Sequence, residues 1–150
     1  MQQQFPGELI GWEATVTGKA SYQSDELVGI QLEYYNFTGG AHGYSGLKSL
    51  LISKEDGKLL SADDLFKDKV KFQKFAEKKF RETFKIPANH TINATGFMFE
   101  EDKFRLPNNI IFTPKGIILY FNVYEIASYV EGPKQLFMTF DEVNDYLKIK

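Results

Sequence analysis

Two histidines, His42 and His90, are the residues of this sequence best suited to acid–base or metal chemistry near neutral pH. Neither has the company that chemistry needs. A zinc site takes about three protein ligands for catalysis and about four for structure. No predicted helix carries two ligands four residues apart, and the chain has no cysteine. Both histidines therefore read as exposed loop residues, and no metal or cofactor is expected. The string Gly43-Tyr44-Ser45-Gly46 places a serine close to His42. It lacks the glycine spacing and the strand-turn-helix setting of a nucleophile elbow, and Ser45 is expected in a turn between strands. Gly39-Gly40-Ala41-His42-Gly43 is glycine-rich, yet no Lys-Ser/Thr pair and no helix follow to hold a phosphate. Gly39, Gly40 and Gly43 are read as backbone residues at a sharp corner, where positive φ or close chain approach is needed. No residue is assigned a catalytic role. A hydrolase built on His42 and nearby carboxylates stands as the enzymatic alternative.

Charge narrows the partners. The 18 Lys and Arg against 20 Asp and Glu leave a net charge of −2, which argues against nucleic acid, because phosphate binding needs a basic field. One stretch, Lys67 to Lys85, carries a local excess of five positive charges. It is read as the solvated face of a helix rather than a membrane or nucleic-acid surface. No apolar run approaches the ~20 residues of a membrane span. The start, Met1-Gln2-Gln3-Gln4-Phe5, has no basic region and no apolar stretch, so it does not read as a signal peptide. Either the protein is cytoplasmic or the sequence begins after a removed leader. Asn36, Asn89 and Asn93 stand in glycosylation sequons, which matter only in a eukaryotic secretory setting.

The elements that would position these residues follow from periodicity. A length of 150 residues suits one domain, and 14 Phe with 8 Tyr favour strands around a large core. Trp12, Ala14, Val16 and Gly18 alternate with polar residues as in a strand. Val28 to Phe37 does the same, with Ile30, Leu32 and Tyr34 on one face and Gln31, Glu33 and Tyr35 on the other. Leu47 to Ser53 is a third strand. Glu55-Asp56-Gly57-Lys58 is a tight turn, after which Leu59 and Leu60 are expected to start a returning strand. Ser61 and Asp64 have capping-box spacing. A long helix is predicted over about Val70 to Phe84, with Phe72, Phe75, Ala76, Phe80 and Phe84 on its core stripe and Pro87 ending it. Ile110 to Phe112 and Ile117 to Phe121 form a hairpin about Thr113-Pro114-Lys115-Gly116. Leu136 to Phe140 is a further strand. Asp141 is expected to cap a short last helix that turns Val143, Tyr146 and Leu147 inward. Ala88 to Leu106 is the least regular part. The fold class is α+β: an antiparallel sheet, one long amphipathic helix packed on it, and a short C-terminal helix.

Tyr120 to Pro133 links two strands through about a dozen residues, a length that usually carries function or careful packing. Its tyrosines serve equally as binding anchors or as lids on a core.

Tyr35-Asn36-Phe37-Thr38-Gly39-Gly40-Ala41-His42-Gly43 resembles one signature of a bacterial cell-envelope domain of unknown function. Phe112 through Tyr120-Phe121-Asn122 to Tyr124-Glu125-Ile126-Ala127 and Glu131-Gly132-Pro133 resembles its second signature, and Lys58 to Phe66 also fits. The domain occurs in RsiV-type anti-sigma factors, where it binds lysozyme, and ahead of the catalytic domain of PdaC-type peptidoglycan deacetylases. The resemblance covers about residues 28 to 148. It implies that residues 1–43 are the end of the family's N-terminal region and that residues 44–150 are the domain with the second signature, together one domain. It implies export to the periplasm, cell surface or envelope. It implies a non-catalytic binding or sensing module for lysozyme, another wall-associated protein or a wall glycan. A purely structural accessory domain is the remaining alternative. Anti-sigma and deacetylase activities do not carry over, since neither a membrane span with a sigma-binding segment nor a deacetylase domain is present in the chain. Tyr124, Glu125, Tyr129, Glu131 and His42 are the candidate binding residues: aromatic anchors ringed by negative charge.

Overall fold

The computed structural model describes residues 11–150; the Met1–Phe5 segment discussed above lies outside them. The strands divide between two antiparallel sheets. The first is the meander β1 (Glu13–Gln23), β2 (Leu27–Phe37) and β3 (Tyr44–Ser53). The second is the meander β4 (Asn109–Thr113), β5 (Gly116–Phe121) and β6 (Lys134–Thr139). Between them run α1 (Ala62–Leu65) and the long α2 (Lys69–Thr83), and α3 (Phe140–Val143) follows β6. The class is α+β, as the periodicities indicate.

Helix α2 begins where the Asp68 side chain accepts the Lys71 N–H at 3.0 Å. Phe72, Ala76 and Phe80 of its stripe are fully buried, with Phe75 and Phe84 half-buried beside them. Phe80 sits among Phe84, Phe97, Phe99, Phe104 and Phe121, with ring centroids 4.4–5.9 Å apart. The helix stops ahead of Pro87. Lys85 turns left-handed at φ 56 and the Ile86 N–H bonds back to Arg81 O at 2.9 Å, so a Schellman closure ends it. The basic face is partly neutralised: Lys69, Lys71, Lys78, Lys79 and Arg81 pair with Asp63, Asp68, Glu82, Glu142 and Glu77. Arg81 also donates to His90 O at 2.8 Å, which ties the irregular segment to the helix. That segment supplies buried Ile92, Phe99 and Phe104 to the core.

Three local expectations are corrected. Leu59 makes one isolated bridge to Ile52 rather than starting a strand. Ser45 lies inside β3, not in a turn. Thr139, not Asp141, caps α3: its hydroxyl accepts the Glu142 N–H while Glu142 accepts the Thr139 N–H. The capping box at Ser61 forms with Asp64, at 2.8 Å from the Ser61 N–H.

Register explains how the sheets share the core. Gly29, Gln31, Glu33 and Tyr35 of β2 face the same way as Leu27, opposite Leu51, Ser49, Leu47 and Ser45 of β3. At the Leu27–Leu51 end this face enters the core. A bulge between Ala20 and Tyr22 turns Tyr22 to the same side, 5.6 Å from Phe112. At the other end the face is polar and meets sheet β4-β5-β6.

Candidate functional site

The first signature forms the corner between β2 and β3. Gly39 and Gly40 have φ of 103° and 105°, a region that side chains strongly disfavour. Gly43 meets a different demand: a Cβ there would lie 2.3 Å from the Tyr35 ring. The tight corner leaves His42 exposed at its tip. The His42 Nδ1 lies 3.0 Å from Gly43 O and, since a carbonyl only accepts, donates to it. The imidazole stacks on Tyr129 with ring centroids 4.4 Å apart and planes 16° from parallel. Tyr129 in turn lies 5.5 Å from Tyr124. Two signatures distant in sequence thus meet in one aromatic cluster.

The second signature reaches the cluster through a turn closed at both ends. The Glu125 N–H donates to Asn122 O at 3.1 Å, and the Asn122 N–H donates to the Glu125 carboxylate at 2.8 Å. Loss of solvent around that carboxylate raises its pKa from its ordinary value, with the Asn122 N–H pulling the other way, although the residue as a whole is exposed. Tyr124, at the apex of this turn, has φ 67° and is 57% exposed. A bulky residue in the left-handed region is held there at a cost of about 1–3 kcal/mol, the kind of strain that gathers at functional surfaces. Ile126 and Ala127 then drop into the core. A 3-10 turn at Tyr129–Glu131 brings the chain out again, with Val130 and Glu131 exposed. The segment is anchor and lid together: Ile126 and Ala127 close the core, and the tyrosines face outward or half outward. Of the five candidate residues, His42, Tyr124 and Tyr129 form the cluster, Glu131 lies on the same 3-10 turn as Tyr129, and Glu125 is engaged within its own loop.

Sequence reasoning missed Asn109 and Ser49 and gave Asn122 no role. Asn122 Oδ1 accepts the Leu47 N–H at 2.8 Å, and its Nδ2 donates to Leu47 O at 2.9 Å. Asn109 Oδ1 accepts the Ser49 N–H at 2.9 Å and its Nδ2 donates to Leu47 O at 3.0 Å. The Ser49 hydroxyl donates to Ile110 O at 2.7 Å. Side-chain amides thus occupy the outer edge of β3 where a neighbouring strand would stand. The available signal was an asparagine opening an otherwise apolar strand, Asn109-Ile110-Ile111-Phe112, and another, Asn122, directly after β5.

This stitching holds the two sheets face to face around a cleft of about 540 Å³. Thr15 and Thr17, Gln31, Glu33 and Tyr35, Ser45 and Leu47 line one wall; Ile111, Ile118, Tyr120 and Gln135 line the other. These are alternate residues of their strands, with Tyr34 and Gly46 also lining the cleft, and Tyr120 is paired with both Asn109 and Gln135 across the ladder. Burial first and Glu33 second push the Tyr120 hydroxyl's pKa up. Among the described residues no three His, Asp or Glu side chains converge to hold a metal ion, and no helix is long and apolar enough to cross a membrane.

Residues 63–141 match the model of a family described as "protein of unknown function (DUF3298)", more than half of the sequence. The chain belongs to this family. Residues 1–45 match the model described as deacetylase PdaC. A DUF3298 member from Bacteroides fragilis superposes with a TM-score of 0.75 at 20% identity, over 95% of this chain and 56% of that one. A DUF3298 protein from Pseudomonas aeruginosa superposes with a TM-score of 0.70 at 27% identity, over 92% and 63%. The chain thus spans less than two thirds of either DUF3298 protein. No curated protein matches it.

Proposed function

We propose that this DUF3298 chain is a non-catalytic binding or sensing module of the bacterial cell envelope, acting outside the cytoplasmic membrane. Its contact surface is the aromatic corner of His42, Tyr129 and Tyr124, with Glu131 beside it. The observation that carries the reading is the His42–Tyr129 stack. It joins the two signature segments at an exposed point rather than inside the core. Aromatic rings with one polar end are the side chains that dominate protein contacts. The match of residues 1–45 to the PdaC deacetylase model supports the envelope setting.

The partner in this reading is a lysozyme or another wall-associated protein, with wall glycan as the other candidate. Lysozymes are often basic, so Glu131 would speed encounter and the affinity would fall with salt as the Debye length shrinks toward about 8 Å. The test titrates the purified chain with a panel of lysozymes at low and physiological salt, and pellets it with insoluble peptidoglycan. Binding to a lysozyme that weakens with salt and with Glu131→Lys is the expected result. Absence of binding to every lysozyme at tens of micromolar, with none to the pelleted wall, contradicts the proposal.

A further inference from the structure

The cleft between the sheets is a second candidate site; it adjoins the corner loop through Val123 and Pro133, but His42, Tyr124 and Tyr129 do not line it. We propose that it binds a short neutral oligosaccharide, gripped between Tyr120 and Gln135 on one wall and the polar row Thr17, Gln31 and Glu33 on the other. Three observations lead there. The first is size: about 540 Å³ lies within the range of roughly 300–1,000 Å³ typical of small-ligand sites. The second is the chemistry of the walls. No Lys, Arg or His lines the cleft, and its one carboxylate, Glu33, is paired with Lys19 at the mouth, so no lining cation is there to hold a phosphate or carboxylate. What remains is hydroxyls, amides and one carboxylate. These donate to and accept from vicinal hydroxyl groups, and a tyrosine face packs against the C–H face of a pyranose ring.

The third observation is where polar groups stand against the fold's own needs. Asn109 and Asn122, on the same side of sheet β4-β5-β6, have their amides bound to β3. Among the described residues, no such bond ties the side chains of Gln31, Tyr120 or Gln135, which line the open cleft. Alternation also gives these positions to polar residues at the sheet-to-sheet face, where packing alone would favour aliphatic ones, as it does at Leu27 and Leu51 on the same face. Glu33 is held at the cleft mouth by Lys19, 3.2 Å away, and its carboxylate makes the strongest acceptor for a sugar hydroxyl.

The test is a titration followed by amide chemical shifts. The probes are tri-N-acetylchitotriose, cellotriose and maltotriose, with trigalacturonic acid as the anionic control. At least one neutral trimer should bind with a Kd of about 1 mM or tighter and shift amides of β2 and β5. Tyr120→Ala should weaken it about tenfold or more, as loss of a buried aromatic contact does. Glu33→Gln, which keeps shape and removes charge, should weaken it by about fivefold. His42→Ala should leave it unchanged, which separates this site from the corner. The inference is overturned if all three neutral trimers leave the cleft amides unmoved at about 10 mM, or if the anionic trimer binds as well as they do. It is also overturned if binding persists in both Tyr120→Ala and Glu33→Gln. Should Tyr120→Ala unfold, Glu33→Gln and Tyr120→Phe decide it, the latter removing only the hydroxyl.

Discussion

The α2 side of sheet β4-β5-β6 and its opposite side are built from the same three strands, yet they follow different rules. Toward the helix, Ile110, Phe112, Ile117, Leu119, Phe121, Leu136 and Met138 are all buried, and aromatic rings fill the space between. Toward the first sheet, the alternate residues are Asn109, Ile111, Ile118, Tyr120, Gln135 and Phe137, and the gap is left open. One side is held by apolar area, which has no direction. The other is held by a few directed amide bonds, which fix the spacing between sheets without filling it. The stability of the chain therefore resides mainly on the helix side, and the open cleft lies on the other.

The largest effect separating the two regions is expected at Phe80. Phe80→Asp places an unpaired charge in the aromatic core, at a cost of several kcal/mol against a total stability of about 5–15 kcal/mol. Loss of the cooperative thermal transition is the expected outcome; a normal melting curve would remove α2 from the core. Asn109→Ala comes next. It leaves the Ser49 N–H without its acceptor at a site only 5% exposed. A loss of about 2–3 kcal/mol, or about 5–10 °C in Tm, should follow while the helix side keeps its slow amide exchange. A loss below about 0.5 kcal/mol would mean that the amides do not hold the sheets together.

The smallest effect belongs to the corner. Glu125 has a pKa raised by desolvation, so its folded state favours the protonated form. The stability this group contributes is present below its unfolded pKa of about 4.3 and is lost as pH rises through its higher folded value. Glu125→Gln should therefore melt slightly above the wild type at pH 7, by about 1 °C given its partial exposure to screening water, and equal to it below about pH 4. A variant that melts lower at pH 7 would show that the carboxylate's bond to the Asn122 N–H outweighs its desolvation.

Much of this architecture was legible in the sequence, and the reasons differ by region. The helix stripe has a period of its own and a strong contrast between Phe and Lys, so both α2 and its buried face were readable. The hairpin about Thr113–Gly116 and the capping box at Ser61 are local and were equally plain. The division into two sheets was not, because it depends on Asn109, Asn122 and Ser49 meeting across 60 or more residues. Polar residues at those positions resemble ordinary strand ends. The cleft was hidden for the same reason: Gln31, Glu33 and Tyr35 look like a solvent face until a second sheet stands opposite. Tyr124 and Tyr129 are readable as one loop surface, and only the tertiary path brings His42 to it. Thr139 competes with Asp141 for the cap of α3, and the choice rests on where β6 ends.

The most direct measurement is binding of the proposed wall partner by corner variants whose fold is intact. His42→Ala and Tyr129→Ser would be titrated beside the wild type against whichever lysozyme or peptidoglycan fraction the wild type binds, with melting curves recorded for each. The expected result is a Tm within a few degrees of wild type for His42→Ala and about a tenfold or greater loss of affinity in both variants. Wild-type affinity in both variants, with the fold preserved, would contradict it and move the contact surface away from the corner.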